Sequence, residues 1–95
     1  MNCASITFSG HAVKRMFLRS LSVTAVKTVV ETGVVVEDYP NDFPYPSCLL
    51  LGIAGTTPVH AVVAMNVSTG DCIVVTVYVP DPARWSPDFK TRKAP

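Results

Sequence analysis

From Val34 onward the chain is cut into short β-branched runs by segments that leave room for little except reversal, and nothing else restricts the fold as much. Val34 to Tyr39, Cys48 to Ala54, Val59 to Asn66 and Asp71 to Val79 read as strands, apolar and bounded by Pro, Gly, Asn and Asp. Gly55-Thr56-Thr57-Pro58 and Val67-Ser68-Thr69-Gly70 are too short for a crossover, so the strands they join must be antiparallel. Pro40-Asn41-Asp42-Phe43-Pro44-Tyr45-Pro46 carries three prolines in seven residues and is expected to be a rigid loop. Pro80, Pro82 and Pro87 keep the tail out of the sheet, and Trp85 is expected to pin it to the body.

Two helices are expected ahead of the strands. In Ser9 to Arg19, with Ser9 as N-cap, the four-residue spacing of His11, Arg15 and Arg19 makes one side basic, with Lys14 beside it. Ala12, Val13, Met16 and Phe17 fill the opposite arc and are expected to dock on a core. Ser22 caps a second helix whose Val23, Val26, Val29 and Val30 share a side, and Gly33 is placed as its C′ glycine. Ser5 to Phe8 could add a short edge strand. The expected architecture is α+β, with two N-terminal helices on one face of a four-stranded antiparallel meander. Ninety-five residues make one domain, with its core over about 5–86 and a tail over 87–95.

A net charge of +1 predicts neither a nucleic-acid nor a membrane partner by itself. Mean hydropathy is positive, yet no apolar run reaches the 18 or so residues of a membrane span, and the N-terminus lacks a signal-peptide layout. Cys3, Cys48 and Cys72 are odd in number and without metal-ligand spacing. Neither a disulfide framework nor a metal site is expected from them, Cys48 and Cys72 read as small buried hydrophobes, and a cytoplasmic location is the default.

His11 is a candidate acid or base because of its residue type, the free histidine side chain having a pKa near neutrality; an exposed helix histidine is the plainer reading. Arg15 offers a planar fork suited to phosphate, and Arg19 and Lys14 extend the same face; a solvated basic face fits equally. His60 lies in an apolar strand and fits a core histidine or a second proton-transfer group. By strand alternation over Cys72 to Val79, Cys72, Val74, Thr76 and Tyr78 face one way, and Ile73, Val75, Val77 and Val79 the other. Asp42 fits a turn residue of the proline loop or a substrate contact. Tyr39, Tyr45 and Trp85 are candidates to stack on bases.

Taken in order, these residues resemble a family of small bacterial proteins known as a domain of unknown function. The resemblance rests on a His-xxx-Arg-Met-xx-Arg helix (His11, Arg15, Met16, Arg19), on Gly33, and on Glu37, Tyr39, Pro40 and Asp42. It continues through Pro46, Ser47, Leu49, Leu50 and Gly52, then His60, Thr76, Tyr78, Pro80 and Trp85, covering about residues 9–86. Such proteins are similar in layout to RelE/MqsR-like toxin ribonucleases with a RelE-like or barnase-like arrangement.

What the resemblance implies is a toxin of a type II toxin–antitoxin pair that cleaves RNA without metal or other cofactor, through attack of the 2′-OH on the adjacent phosphate. His11, Arg15, Tyr78 and His60 would then be catalytic, and Arg19, Lys14, Thr76 and Asp42 would bind substrate. The implied partners are RNA and an antitoxin of zinc-finger and helix-turn-helix type, with homo-oligomers open and no membrane. The alternative is a non-catalytic protein-binding module that uses the basic helix face, favoured by Leu18 in the middle of it.

Overall fold

The hairpins fix the frame. In the computed structural model, which describes residues 1–94, β1 spans Ser5–Phe8, α1 Gly10–Leu18, α2 Val23–Thr32 and β2 Val34–Tyr39. They are followed by β3 over Ser47–Ala54, β4 over Thr57–Asn66 and β5 over Asp71–Tyr78. β2 to β5 form an antiparallel meander, as their short connections require, with sheet order β1-β5-β4-β3-β2. The fold is α+β, but the sheet corrects the expectation of four antiparallel strands. β1 adds a fifth strand, parallel to β5, with Ser5 opposite Asp71 and Phe8 opposite Val74. Two helices separate β1 from the meander, enough chain for it to reach the outer side of β5.

Both helices start where a serine accepts a backbone N–H: Ser9 from Ala12 and Ser22 from Ala25, each at 3.0 Å. They cover one face of the sheet. Ala12, Met16, Val26, Val29 and Val30 join Cys48, Leu50, Val59, Ala61, Val63, Cys72, Val74 and Val77 in one buried apolar cluster. Gly33 ends α2 with φ −66°, not the left-handed turn of a C′ glycine. Its need for glycine is a close approach, since a Cβ there would lie 2.9 Å from the Leu51 carbonyl oxygen. The docking face of α1 is narrower than expected. Ala12 and Met16 are buried, whereas Val13 and Phe17 are 53% and 85% exposed.

Cys3 and Cys72 form a disulfide, which corrects the reading of Cys72 as a free buried thiol; Cys48 remains a buried free one. The bridge depends on β1 lying against β5 two residues downstream of Cys3, a neighbourhood that cysteine spacing does not encode. No helix is long and apolar enough to cross a membrane.

The tail after β5 crosses the second face of the sheet. The His60 Nε2–H donates to the Phe89 carbonyl oxygen at 2.7 Å, and Arg92 reaches Glu37 of β2 at 3.3 Å. Trp85, 4% exposed, packs edge-on against His60 at 4.5 Å between ring centroids. It does pin the tail.

Candidate functional site

β1 stops at Phe8 opposite Val74, so the outer edge of β5 beyond that point has no strand beside it. The chain turns there into α1. The Ser9 N–H donates to the Val74 carbonyl at 3.0 Å, and its hydroxyl donates to the Val75 carbonyl at 2.7 Å. The same N-cap that starts the helix thus moors it along β5. Two residues on, His11 Nε2 and Thr76 Oγ1 are 3.0 Å apart, while Nδ1 has no bonding partner among the described residues. The exposed imidazole is thereby held in one orientation with one nitrogen free.

Regular alternation in β5 fails at Val75. Val74 pairs with Val63 and Thr76 with Val62, which leaves Val75 as an extra residue. Cys72, Val74 and Val77 consequently share the buried cluster, correcting the expectation that Val77 faces away from Cys72 and Val74. Beyond the bulge Tyr78 stands directly opposite His60 on the second face.

His60 is completely buried, which does not suit the catalytic contact with substrate expected for it. With Nε2–H committed to the Phe89 carbonyl, Nδ1 is the acceptor for the Tyr78 hydroxyl at 3.1 Å. Burial pushes its pKa below the usual histidine value, opposed by the Phe89 carbonyl; the Arg92 charge lowers it further and Glu37 raises it. A neutral imidazole that orients Tyr78 is what this arrangement provides. Burial also pushes the Tyr78 phenol up, and the Arg92 charge works against that.

At this end of β5 a cavity of about 310 Å³ is lined by Arg15 and Arg19 of α1, Tyr78 and Val79, and Asp81, Arg84, Trp85 and Arg92 of the tail. Every arginine in the sequence lines it, and no lysine does. A guanidinium presents a rigid fork of donors that matches a phosphate, which an ammonium cannot imitate. Among the described residues only Arg92 has an ion-pair partner, Glu37. The Asp81 carboxylate lies in the same wall but accepts the Ala83 N–H at 2.9 Å, which holds the turn that presents Arg84 and Trp85.

Lys14, expected at the site, is exposed and outside the cavity. Asp42, expected to touch substrate, instead accepts the Ser47 hydroxyl at 2.5 Å and fastens the proline loop to β3. Tyr39 donates to Glu37 at 2.9 Å, Tyr45 receives a bond from Asn66 at 3.4 Å, and Arg92 covers Trp85 at 4.7 Å from its ring centroid. Trp85, 4% exposed and covered by Arg92, offers no free stacking face of the kind expected. Arg84 and Arg92 escaped the sequence reading because they lie in the tail, where they resembled solvated bases. The signal that was available is the pairing of arginines with Trp85 inside a proline-bounded segment. Among the described residues no group of three or more His, Cys, Asp or Glu side chains is arranged to hold a metal ion.

No curated protein and no solved structure matches the chain. A family model does, across residues 8–79, from the end of β1 to the end of β5. The chain belongs to the family described as domain of unknown function DUF4258.

Proposed function

We propose that this protein binds single-stranded RNA and cleaves its phosphodiester backbone. The observation that carries the proposal is the gathering of every arginine around one cavity, two of them on the helix whose His11, itself outside the lining, is fixed on Thr76. His11 takes the 2′-OH proton on Nδ1, the freed oxygen attacks phosphorus, and the P–O5′ bond breaks to leave a cyclic phosphate. Arg15 and Arg19 hold the non-bridging oxygens as charge builds on them. Tyr78 turns its hydroxyl from His60 Nδ1 to the departing O5′ and gives its proton there, and the neighbouring guanidinium groups stabilise the phenolate until it is reprotonated. Thr76 orients His11.

Incubating the purified protein with single-stranded RNA in the presence of a chelator tests this. Fragments ending in 2′,3′-cyclic phosphate and 5′-OH are expected from the wild type and not from His11→Ala. Equal cutting by both proteins would overturn the role of His11, and no cutting by the wild type would overturn the activity.

A second reading is favoured by exposed apolar groups on α1: Phe17 at 85% and Leu18 at 62%, with Lys14 exposed beside them. In this reading α1 holds a protein partner. The two readings meet in a toxin–antitoxin pair whose neutralising protein covers α1 and with it His11 and Arg15. Phe17→Asp and Leu18→Asp would then release the partner and leave RNA cleavage unchanged.

A further inference from the structure

The arginine cavity has two walls of different origin. Arg15 and Arg19 stand on α1, inside the matched family region, with Arg15 one turn from His11. Arg84 and Arg92 belong to the tail, beyond residue 79. Four guanidinium groups exceed what one phosphodiester monoanion can engage in bidentate fashion. The helix spreads them out as well. Its rise of 1.5 Å per residue places Arg19 roughly 12 Å along the axis from His11. A substrate whose reacting phosphate lies by His11 therefore extends, through its next phosphate, toward the tail wall.

The tail wall is poised to accept that group. Arg84 has no ion-pair partner among the described residues. Arg92 rests on Trp85 and holds Glu37 through Nε at 3.3 Å, with side chains 62% and 37% exposed. An ion pair so exposed is worth little and is readily exchanged for another anion. The wall itself is firm, because Trp85 is anchored on His60 and bridged to Arg92 through the backbone.

Resting on the reading of the cavity as an RNA site, we propose that Arg84 and Arg92 form a second phosphate subsite. It takes the phosphodiester next to the scissile one, and Arg92 exchanges Glu37 for that phosphate. The ligand is a single-stranded oligonucleotide with at least two phosphodiesters, and the subsite makes the tail part of the substrate-binding machinery.

The test uses uncleavable 2′-deoxy oligonucleotides, so it does not depend on catalysis. Binding of a labelled dinucleotide with one phosphodiester is compared with that of a trinucleotide with two, by fluorescence anisotropy. The wild type is expected to bind the trinucleotide on the order of tenfold more tightly, and Arg84→Ala and Arg92→Ala to erase that advantage by weakening the trinucleotide several-fold more than the dinucleotide. Each variant should also lower the salt slope for the trinucleotide by about one. Glu37→Gln, which removes the competing carboxylate and leaves both arginines in place, should tighten the trinucleotide. Trp85, the only tryptophan, should change emission when the trinucleotide binds, through movement of Arg92.

Equal wild-type affinity for the two ligands would overturn the subsite alone. So would displacement of the trinucleotide by an equal concentration of inorganic phosphate, which would mark a small-anion site. Binding of neither ligand would overturn the subsite and the RNA reading together. A trinucleotide advantage that depends on both tail arginines, in a protein that cuts no RNA, would uphold the subsite and overturn only the cleavage.

Discussion

The two faces of the sheet are held by different physics. Toward the helices every buried side chain in the cluster is apolar, from Ala12 and Val26 to Val63 and Val77. Toward the tail the burial is mixed: His60 is wholly enclosed, yet both ring nitrogens are bonded, to Tyr78 and to Phe89. The first face rests on close packing, which tolerates no voids but has no direction. The second rests on a few directed bonds, one of which holds Tyr78 at the arginine cavity while the other ties down the tail. Apolar packing is concentrated on one face, and the site sits where α1 meets the tail that closes the second face.

That contrast is open to attack, the largest effect first. Cys3→Ser removes a bridge that spans 69 residues, and should cost about 4 kcal/mol of stability in denaturant titrations under oxidising conditions. Leu50→Ala, on the helix face, should cost about 3 kcal/mol and leave oligonucleotide affinity unchanged in the folded fraction. His60→Ala should cost about 2 kcal/mol and also alter the site, because it strands the Phe89 carbonyl and frees the Tyr78 hydroxyl. If Leu50→Ala changed affinity, or His60→Ala left it intact, the division between the faces would fail. Phe17→Ser, on the exposed arc of α1, should move stability by no more than about 0.5 kcal/mol.

Acid offers a gentler probe of the same division. The folded His60 resists a proton that the unfolded chain accepts near pH 6.5, so the unfolded state binds more protons below that value. Stability from this group should be complete above about pH 6.5 and decline as the pH falls toward the lower folded value. His60→Ala should lose that part of the slope. A wild-type profile indistinguishable from that of the variant would show that His60 is not the group responsible.

The helix face was the legible one. Val26, Val29 and Val30 declared themselves by helical spacing, Ser9 and Ser22 by capping chemistry, and the meander by its short turns. These are local signals. The parallel pairing of β1 with β5, the Cys3–Cys72 bridge and the extra residue at Val75 are matters of register between distant segments, which hydrophobic pattern leaves open. The candidate site was legible in the same uneven way. His11, Arg15 and Arg19 stood out on their helix, whereas the role of His60 depended on burial beneath Trp85. Lys14 and Asp42 had suitable chemistry but stand elsewhere.

The extra residue in β5 has one more consequence. It sets the phase of everything after it, so that Val77 turns inward and Tyr78 meets His60. Deleting Val75 would take the extra residue out and leave these directions alone, because Val74, Thr76, Val77 and Tyr78 would then follow Val63, Val62, Ala61 and His60 one for one. Flattening the bulge with Val75 still in the chain is what would exchange the two, offering a phenol to the apolar cluster and a valine to the arginines. The site is therefore specified by a count as well as by chemistry: β5 uses five residues from Val74 to Tyr78 where β4 uses four from His60 to Val63, and the bulge absorbs the difference.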